Sequence, residues 1–321
     1  MAEIENKILV TGAFGQIGSE LVPALQQKHG KDNVVAMGHR NIPSRFDGIL
    51  EKADPRNISD IEKIIKDHNI LTIYHLVSLL SVTGEKDPGL TWDINMNGLI
   101  NILDLAVKYQ NRVFWPSSIA AFGPTTPQDN TAQKTVLEPT TMYGATKVAG
   151  ENLCRYYFIT YGLDIRSIRY PGLISWKAEP GGGTTDYAVA IFYDGLRKGE
   201  YNCFVRKDTV LPMMYMDDAI RGTVELMDAD LDVAKRREAR DWDSYNLAAI
   251  SFQAQELAEE LKKHIPNLKV EYNPDHRQAI ADSWPNSIDD SLARSEWGWK
   301  HEFDLPKMTK VMVDNLRKNS I

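Results

Sequence analysis

A tyrosine and a lysine four residues apart are the side chains of this sequence best suited to proton transfer. Tyr143 and Lys147 stand in the segment Tyr-Gly-Ala-Thr-Lys, downstream of Ser118. If the segment is helical, residues four apart share one face, so the phenol and the ammonium can face one ligand. The pairing equally fits a helix with a packed tyrosine and a solvated lysine. The elements around it decide between the two.

A glycine-rich turn near the start of the chain is typical of nucleotide binding. Gly12, Gly15 and Gly18 follow the β-branched segment 7–11 and open an apolar pattern of helical spacing over residues 17–27. Between a first strand and a first helix, such glycines let the backbone approach a pyrophosphate, and the helix N-terminus supplies amide donors. Glycines at such turns also serve close packing, and the spacing differs by one residue from Gly-x-Gly-x-x-Gly.

Strand and helix patterns alternate through the first half of the chain. They predict strands over residues 34–37, 71–77, 112–116 and 165–170, and helices over residues 58–66, 92–109 and 146–161. Such alternation with short connections indicates right-handed parallel crossovers. The predicted fold class is α/β, with a Rossmann-type doubly wound parallel sheet.

This rhythm breaks after residue 170, where prolines and glycines interrupt the regular pattern. We expect residues 1–175 to form the dinucleotide-binding domain, with elements borrowed from about 212–250. Residues 176–321 are expected to form a smaller C-terminal substrate-binding lobe. Because the sequence shows no repeat and no low-complexity linker, we expect the two parts to be interleaved and packed together.

Composition and charge exclude several classes of function. The chain has 321 residues, 43% of them hydrophobic, which is enough for a sizeable core. A net charge of −7 gives no general attraction to nucleic acid or anionic membranes, and no apolar run reaches membrane-spanning length. The polar N-terminal segment has no signal-peptide pattern, and the two cysteines and seven histidines show no metal-ligand spacing. We therefore expect a cytoplasmic protein with no metal and neither nucleic acid nor membrane as a partner.

The residues after the second predicted strand bear on the choice of cofactor. A carboxylate that holds the adenosine 2′-hydroxyl is expected there, but Gly38 occupies the position and is followed by His39 and Arg40. Arg40 either accepts a 2′-phosphate, which favours NADP, or is a solvated loop arginine. Asp54 either meets the adenine edge or caps the helix that follows it.

Further motifs give the chain a family resemblance. Besides the glycine turn and the tyrosine–lysine pair, they are Asn95, Asn97 and the segments 75–77, 79–81, 84–86, 117–118, 139–144, 169–172, 180–188, 211–216 and 283–285. Together they resemble the L-threonine 3-dehydrogenases of the epimerase-like branch of the extended short-chain dehydrogenase/reductase superfamily, over nearly the whole chain. The resemblance implies a homodimer that oxidises the 3-hydroxyl of L-threonine to 2-amino-3-oxobutyrate and reduces NAD. NADP is not excluded, because Gly38 replaces the usual acidic residue.

The resemblance and the chemistry together assign three catalytic residues. Tyr143 is the expected general base, but a phenol with its ordinary pKa near 10 is too weakly ionised at neutral pH. We therefore expect Lys147 and the positive nicotinamide ring to lower the pKa of Tyr143, and Lys147 to bind the nicotinamide ribose. Ser118, rather than Ser117, is expected to hold the substrate oxygen, unless either serine only satisfies backbone groups at the strand end.

The remaining expected contacts divide between cofactor and substrate. The cofactor set adds to the glycines, Tyr143 and Lys147 the residues Gln16, Ile17, His39, Arg40, Asp54, Leu76 and Tyr170. The substrate set adds to Ser118 and Tyr143 the residues Ser81, Thr184, Thr185 and Trp284. Each of these four has a structural alternative, which is a loop cap for the serine, helix capping for the threonines and core packing for the tryptophan. His75 is expected to be structural.

Two other functions remain open from the residues alone. NAD-dependent sugar-nucleotide epimerases use the same serine–tyrosine–lysine set on a two-lobed fold and retain their NAD. A dehydratase would usually carry an acidic residue beside the serine, where this chain has Ile119. A non-catalytic nucleotide-binding protein could keep the fold, but the presence of Ser118, Tyr143 and Lys147 weighs against it.

Overall fold

A parallel sheet of seven strands forms the centre of the protein. The computed structural model describes residues 7–40 and 42–319. In chain order the strands are β1 Lys7–Thr11, β2 Val34–Gly38, β3 Ile49–Lys52, β4 Ile70–His75, β5 Arg112–Ser118, β6 Ile165–Tyr170, β7 Gly172–Ile174, β8 Glu200–Cys203, β9 Val210–Tyr215, β10 Tyr245–Asn246, β11 Ile250–Gln253 and β12 Lys269–Tyr272. The seven-stranded sheet has the order β10-β6-β5-β4-β1-β2-β3, and each neighbouring pair in it is parallel. The predicted α/β fold class is confirmed.

The helices cover both faces of this sheet. They are α1 Gly18–His29, α2 Ile58–Asp67, α3 Ser81–Lys86, α4 Pro88–Trp92, α5 Gly98–Tyr109, α6 Met142–Tyr161, α7 Tyr187–Lys198, α8 Met216–Asp228, α9 Val233–Glu238, α10 Ala254–Lys262, α11 Arg277–Ala281, α12 Ser291–Trp297 and α13 Leu305–Lys318. Because side chains alternate along a strand, Val10 packs with α1 and α8 on one face, and Leu9 packs with α2, α5 and α6 on the other. Within the described residues, none of these helices has both the length and the apolar character that a membrane crossing requires.

Two small sheets and a third core lie in the later part of the chain. The order of one sheet is β11-β9-β7, and the other pairs β12 with β8. Residues of α7, α10 and α13 form a core with them that reaches Ile119, just after β5. Strand β10 returns to the edge of the large sheet, beside β6. The chain thus passes more than once between the two groups of strands, while the division near residue 175 stays a prediction.

The sheet order creates the crevice in which a ligand can bind. Strands β1 and β4 are neighbours, but the chain leaves β1 towards β2 on one side and reaches β5 from β4 on the other. In open α/β sheets, ligands bind outside the carboxyl ends of the strands at such a switch point. Thr11 and His75 are paired at the ends of β1 and β4, so the crevice begins beside them.

Two helices differ from the sequence prediction in ways that affect this crevice. The helix predicted over 146–161 begins at Met142, because the Thr141 hydroxyl caps it by accepting a hydrogen bond from Gly144 N at 3.0 Å. Tyr143 therefore lies in its first turn. The helix predicted over 92–109 contains a wider π-helical turn, Asp93–Asn97, before α5. Such turns occur often at functional sites.

Candidate active site

The glycine-rich turn between β1 and α1 exposes backbone atoms to the crevice at its glycine positions. Gly12 has a φ of +68°, and a Cβ on it would lie 3.0 Å from Val77 N. Its carbonyl accepts a hydrogen bond from Gly15 N at 3.0 Å, which closes the turn. The N-terminus of α1 follows at Gly18. Glycines at Gly12 and Gly15, in front of a helix N-terminus, fit the pyrophosphate of a dinucleotide.

One cleft runs along this edge and contains most of the predicted site residues. A cavity of about 280 Å³ at one end is lined by Gly12, Gly15, His39, Arg40, Asp54 and Leu76. A cavity of about 150 Å³ at the other end is lined by Gln16, Ile17, Leu76, Ser81, Ser118, Tyr143, Lys147, Tyr170, Thr184, Thr185 and Trp284. We call them the adenosine end and the catalytic end. Gly18 lines neither cavity and packs behind the turn.

Lys147 is fixed below the catalytic end rather than free in it. Its side chain is buried, and its Nζ donates a hydrogen bond to Pro116 O at 2.7 Å. Nζ lies 4.7 Å from the ring centre of Trp115 and 5.3 Å from that of Tyr143. Burial lowers the pKa of Lys147 to about 7, although the nearby Cys154 and Glu151 act in the opposite direction.

Tyr143 faces the cavity from the first turn of α6. The close approach of this turn to the end of β5 requires Gly144, since a Cβ there would lie 2.2 Å from Ala120 O. Burial raises the pKa of Tyr143 to about 12, and a hydrogen bond with the Ser118 side chain only partly offsets this. Lys147 does not lower the pKa of Tyr143 in this structure, because Lys147 is itself desolvated, and the lowering expected from the nicotinamide ring stays a prediction.

The two serines at the end of β5 have different surroundings. Ser118 is only partly buried, and its hydroxyl accepts a hydrogen bond from Ala120 N at 3.2 Å. Ser117 is buried, and its hydroxyl donates to Glu151 at 2.5 Å. The hydroxyl of Ser117 is therefore committed to the protein interior, whereas that of Ser118 can still donate to a ligand oxygen.

A buried ion pair lies one helical turn beyond Lys147. Arg169 donates from Nε and Nη2 to the Glu151 carboxylate at 2.8 and 2.7 Å. Its Nη1 donates to Gln133 O at 2.9 Å and to Asn246 Oδ1 at 3.1 Å. These contacts join α6 to β6 and β10. The pair was not predicted from the sequence, although Glu151 continues the four-residue spacing of Tyr143 and Lys147 along α6.

A second network joins the loop after β4 to the same helix. Asn95, in the π-helical turn, accepts from Leu79 N at 2.8 Å and donates to Leu79 O and Thr146 Oγ1, each at 3.1 Å. Glu85 accepts a hydrogen bond from Met142 N at 2.6 Å. The segment that carries Ser81 is thus tied to the helix that carries Tyr143. Asn95 was part of a recognised motif, but its positioning role was not predicted.

The predicted substrate residues face the catalytic end from two sides. Ser81 is buried at the start of α3. Thr184 is buried too, and among the described residues its hydroxyl has no hydrogen-bond partner. Asp186, not a threonine, caps this turn, because it accepts from Gly182 N and Gly183 N at 2.7 Å each. Trp284 is buried and also lines the cavity, so it can both pack in the core and contact a substrate.

His75 and Asp54 have structural partners. His75 Nδ1 is 2.7 Å from the Thr11 hydroxyl, and burial lowers its pKa to about 3, so the imidazole is neutral. The Arg56 side chain lowers the pKa of Asp54 to about 2 by hydrogen bonding. The capping alternative for Asp54 is wrong, because Asn57 caps α2.

No group of three acidic, cysteine or histidine side chains suited to a metal is found within residues 7–40 and 42–319.

Comparisons with known proteins agree with this geometry. The model of the family described as NAD dependent epimerase/dehydratase matches residues 8–246. An uncharacterised epimerase/dehydratase of Staphylococcus haemolyticus is 47% identical over 312 residues, 96% of each chain. A monomeric L-threonine 3-dehydrogenase from a metagenome is 50% identical, with a TM-score of 0.92 over 98% of this chain and 100% of that one.

A third similar protein is the L-threonine dehydrogenase of Clostridium difficile. It is 45% identical, with a TM-score of 0.94 over 99% of both chains. These comparisons confirm the resemblance inferred from the motifs. The family also confirms the expectation of a nicotinamide cofactor, without deciding between NAD and NADP. This chain belongs to the NAD-dependent epimerase/dehydratase family.

Proposed function

We propose that this protein is an L-threonine 3-dehydrogenase that oxidises the 3-hydroxyl of L-threonine to 2-amino-3-oxobutyrate, with NAD as hydride acceptor. The observation that carries the proposal is the likeness along almost the full chain to solved threonine dehydrogenases at 45 and 50% identity.

In the proposed reaction, three side chains act on the substrate hydroxyl. Ser118 donates a hydrogen bond to the oxygen, and Tyr143 Oη takes its proton as the bond from C3 to hydrogen breaks. Since burial raises the pKa of Tyr143, ionisation of the phenol needs positive charge nearby, and the protonated form of Lys147, with Nζ 5.3 Å from the ring centre, would supply part of it. A bound oxidised nicotinamide would accept the hydride and add a second positive charge.

The other cleft residues would bind and orient the two ligands. Gly12 and Gly15 would approach the pyrophosphate, and Lys147 would bind the nicotinamide ribose. The unpartnered hydroxyl of Thr184 and the buried Ser81 would hold the amino-acid head group. These assignments follow the proposed division of the chain. The nucleotide would bind to residues 1–175, and the substrate would be held partly by residues 176–321.

We also propose a cytoplasmic homodimer. Tyr156 and Tyr161 are about half exposed on α6 and pack edge to face with ring centres 5.9 Å apart, which leaves apolar area available for a second copy. One similar structure is described as monomeric, so light scattering on the purified protein should decide this point. The two cysteines, Cys154 and Cys203, are buried free thiols, as suits a reducing compartment.

The proposed activity is tested by following the absorbance of reduced nicotinamide with L-threonine and either NAD or NADP. We expect a threonine-dependent rise, and none with UDP-glucose in its place. No signal with threonine and either cofactor, together with conversion of the UDP-sugar, would favour the epimerase alternative. No turnover of either substrate would favour a non-catalytic nucleotide-binding protein.

A further inference from the structure

The adenosine end of the cleft has no room for the usual ribose-binding carboxylate. Gly38 ends β2 at that position, and a Cβ on it would lie 2.7 Å from Phe14 Cδ2 and 2.9 Å from Ile42 Cγ1. Phe14 is held in place by Phe46, with the rings edge to face and their centres 5.4 Å apart. An acidic side chain at position 38 would therefore have to displace a packed aromatic ring.

Asp54, a carboxylate that does line this cavity, is largely committed to Arg56. Its Oδ1 accepts hydrogen bonds from the backbone N and Nε of Arg56, both at 3.0 Å. Its Oδ2 accepts from Nε at 3.2 Å and from Nη2 at 2.6 Å. Three N–H groups of Arg56 thus contact Asp54, with Nε–H shared between the two oxygens, so Arg56 takes up most of the roughly four acceptor positions of an ionised carboxylate. Little of the Asp54 carboxylate is left to accept a hydrogen bond from a ribose 2′-hydroxyl.

The side chains that remain available at this end are cationic or polar. His39 and Arg40 are exposed and line the same cavity. In the part of the chain that the structure describes, the Arg40 guanidinium makes no hydrogen bond or ion pair, whereas Arg56 is shared between Asp54 and Asp93. His39 Nε2 lies 3.8 Å from Asp54 Oδ2. A free guanidinium beside a neutralised acid suits a phosphate, which it can bind with two parallel hydrogen bonds.

We propose that the adenosine end accepts a 2′-phosphate, so that the protein uses NADP as well as NAD, and that Arg40 is the residue that recognises the phosphate. The proposal rests on the nicotinamide-dependent function proposed above and extends it to the second form of the cofactor. NAD then gains no carboxylate contact at its 2′-hydroxyl and is held through its adenine, pyrophosphate and nicotinamide. Discrimination between the two cofactors is consequently weak and depends on one exposed side chain.

Calorimetric titration with nucleotide fragments tests this without any threonine. The probes are 2′,5′-ADP, its isomer 3′,5′-ADP and 5′-AMP, at one fixed ionic strength. We expect 2′,5′-ADP to bind at least as tightly as 5′-AMP and more tightly than the isomer of equal charge. Arg40→Ala should weaken 2′,5′-ADP by about tenfold or more, the usual size of a lost charge-assisted hydrogen bond, and change 5′-AMP less than about twofold.

Two further variants separate a phosphate contact from a general charge effect. Arg45→Ala removes the same charge from an exposed residue that does not line the cavity, and it should leave all three affinities unchanged. Arg40→Lys keeps the charge without the planar fork and should restore part of the affinity for 2′,5′-ADP. With threonine, Arg40→Ala should lower kcat/KM for NADP by a larger factor than kcat/KM for NAD.

The proposal is overturned if wild-type protein binds 5′-AMP but not 2′,5′-ADP, or if Arg40→Ala weakens both fragments equally. Equal binding of 2′,5′-ADP and 3′,5′-ADP would also contradict it, because recognition would then follow charge alone. Binding of 2′,5′-ADP with the predicted dependence on Arg40, but without any oxidation of threonine, would contradict the proposed function and leave the phosphate site standing.

Discussion

The two ends of the cleft are constructed in opposite ways. At the catalytic end, Lys147 is 3% exposed and Glu151 6%, and both make short hydrogen bonds within the fold. At the adenosine end, His39 and Arg40 are exposed and follow directly after a strand. Catalysis needs groups held within a fraction of an ångström, which buried networks provide. Cofactor choice can rest on surface side chains that change without disturbing the core.

The comparison implies that substitutions at the two ends have different consequences. At the catalytic end they should lower the rate or the stability by large factors. At the adenosine end they should alter only which nucleotide binds, as expected for Arg40.

Tyr143→Phe should have the largest effect on the rate. It removes the hydroxyl that takes the proton, and loss of a general base typically costs about 10²–10⁴-fold, so we expect kcat with L-threonine to fall about a thousandfold. Steady-state kinetics measure this. Titration with 5′-AMP serves as control and should be unchanged, because Tyr143 does not line the adenosine end. Turnover within tenfold of wild type would exclude Tyr143 as the base.

Glu151→Gln should have the largest effect on stability. It leaves Arg169 buried without its counter-charge, and breaking a buried ion pair costs about 3–5 kcal/mol, so we expect the free energy of unfolding in urea to fall by about 3 kcal/mol. The control is Glu62→Gln, which breaks a pair with the mostly exposed Lys108 and should cost far less, because water screens that pair. Equal losses in both variants would contradict the importance of the buried pair.

Ser118→Ala should reduce the rate less than the change at Tyr143. It removes one hydrogen-bond donor to the reacting oxygen, for which the typical loss is about 10²–10³-fold in kcat. Ser117→Ala is the matched control. It loses the hydrogen bond to Glu151, so it should cost about 1 kcal/mol of stability and change kcat only a few-fold. The reverse pattern would transfer the catalytic role to Ser117.

Lys147→Met should change how stability depends on pH. Burial lowers the pKa of Lys147 to about 7, below its ordinary value of 10.5. Between these values the unfolded chain binds a proton that the folded chain does not, so this group makes stability rise with pH in that window, by at most about 1.4 kcal/mol per unit. Wild type should therefore gain more stability than the variant from pH 7 to 10 in urea titrations. Parallel curves would show that Lys147 stays charged when folded.

Local patterns in the sequence were sufficient to predict the fold class and part of the candidate site. The glycine turn and the Tyr143–Lys147 spacing lie within single elements, so periodicity and turn chemistry reveal them. The pair of Glu151 with Arg169 and the contact of Asn95 with Thr146 join residues 18 and 51 positions apart, which no local pattern specifies. The effect of burial on the pKa values of Tyr143 and Lys147 was not foreseen for the same reason, since their burial arises only when the elements pack.

The proposed function requires the catalytic end to remove a hydride from C3 of L-threonine. The decisive measurement uses L-threonine that carries deuterium at C3, followed by mass spectrometry of the reduced nicotinamide. We predict that each reduced nicotinamide contains one deuterium atom taken from the substrate, and that Tyr143→Phe forms almost none of this product while still binding 5′-AMP. Reduced nicotinamide without deuterium, or no reduction at all by wild-type protein, would contradict the account.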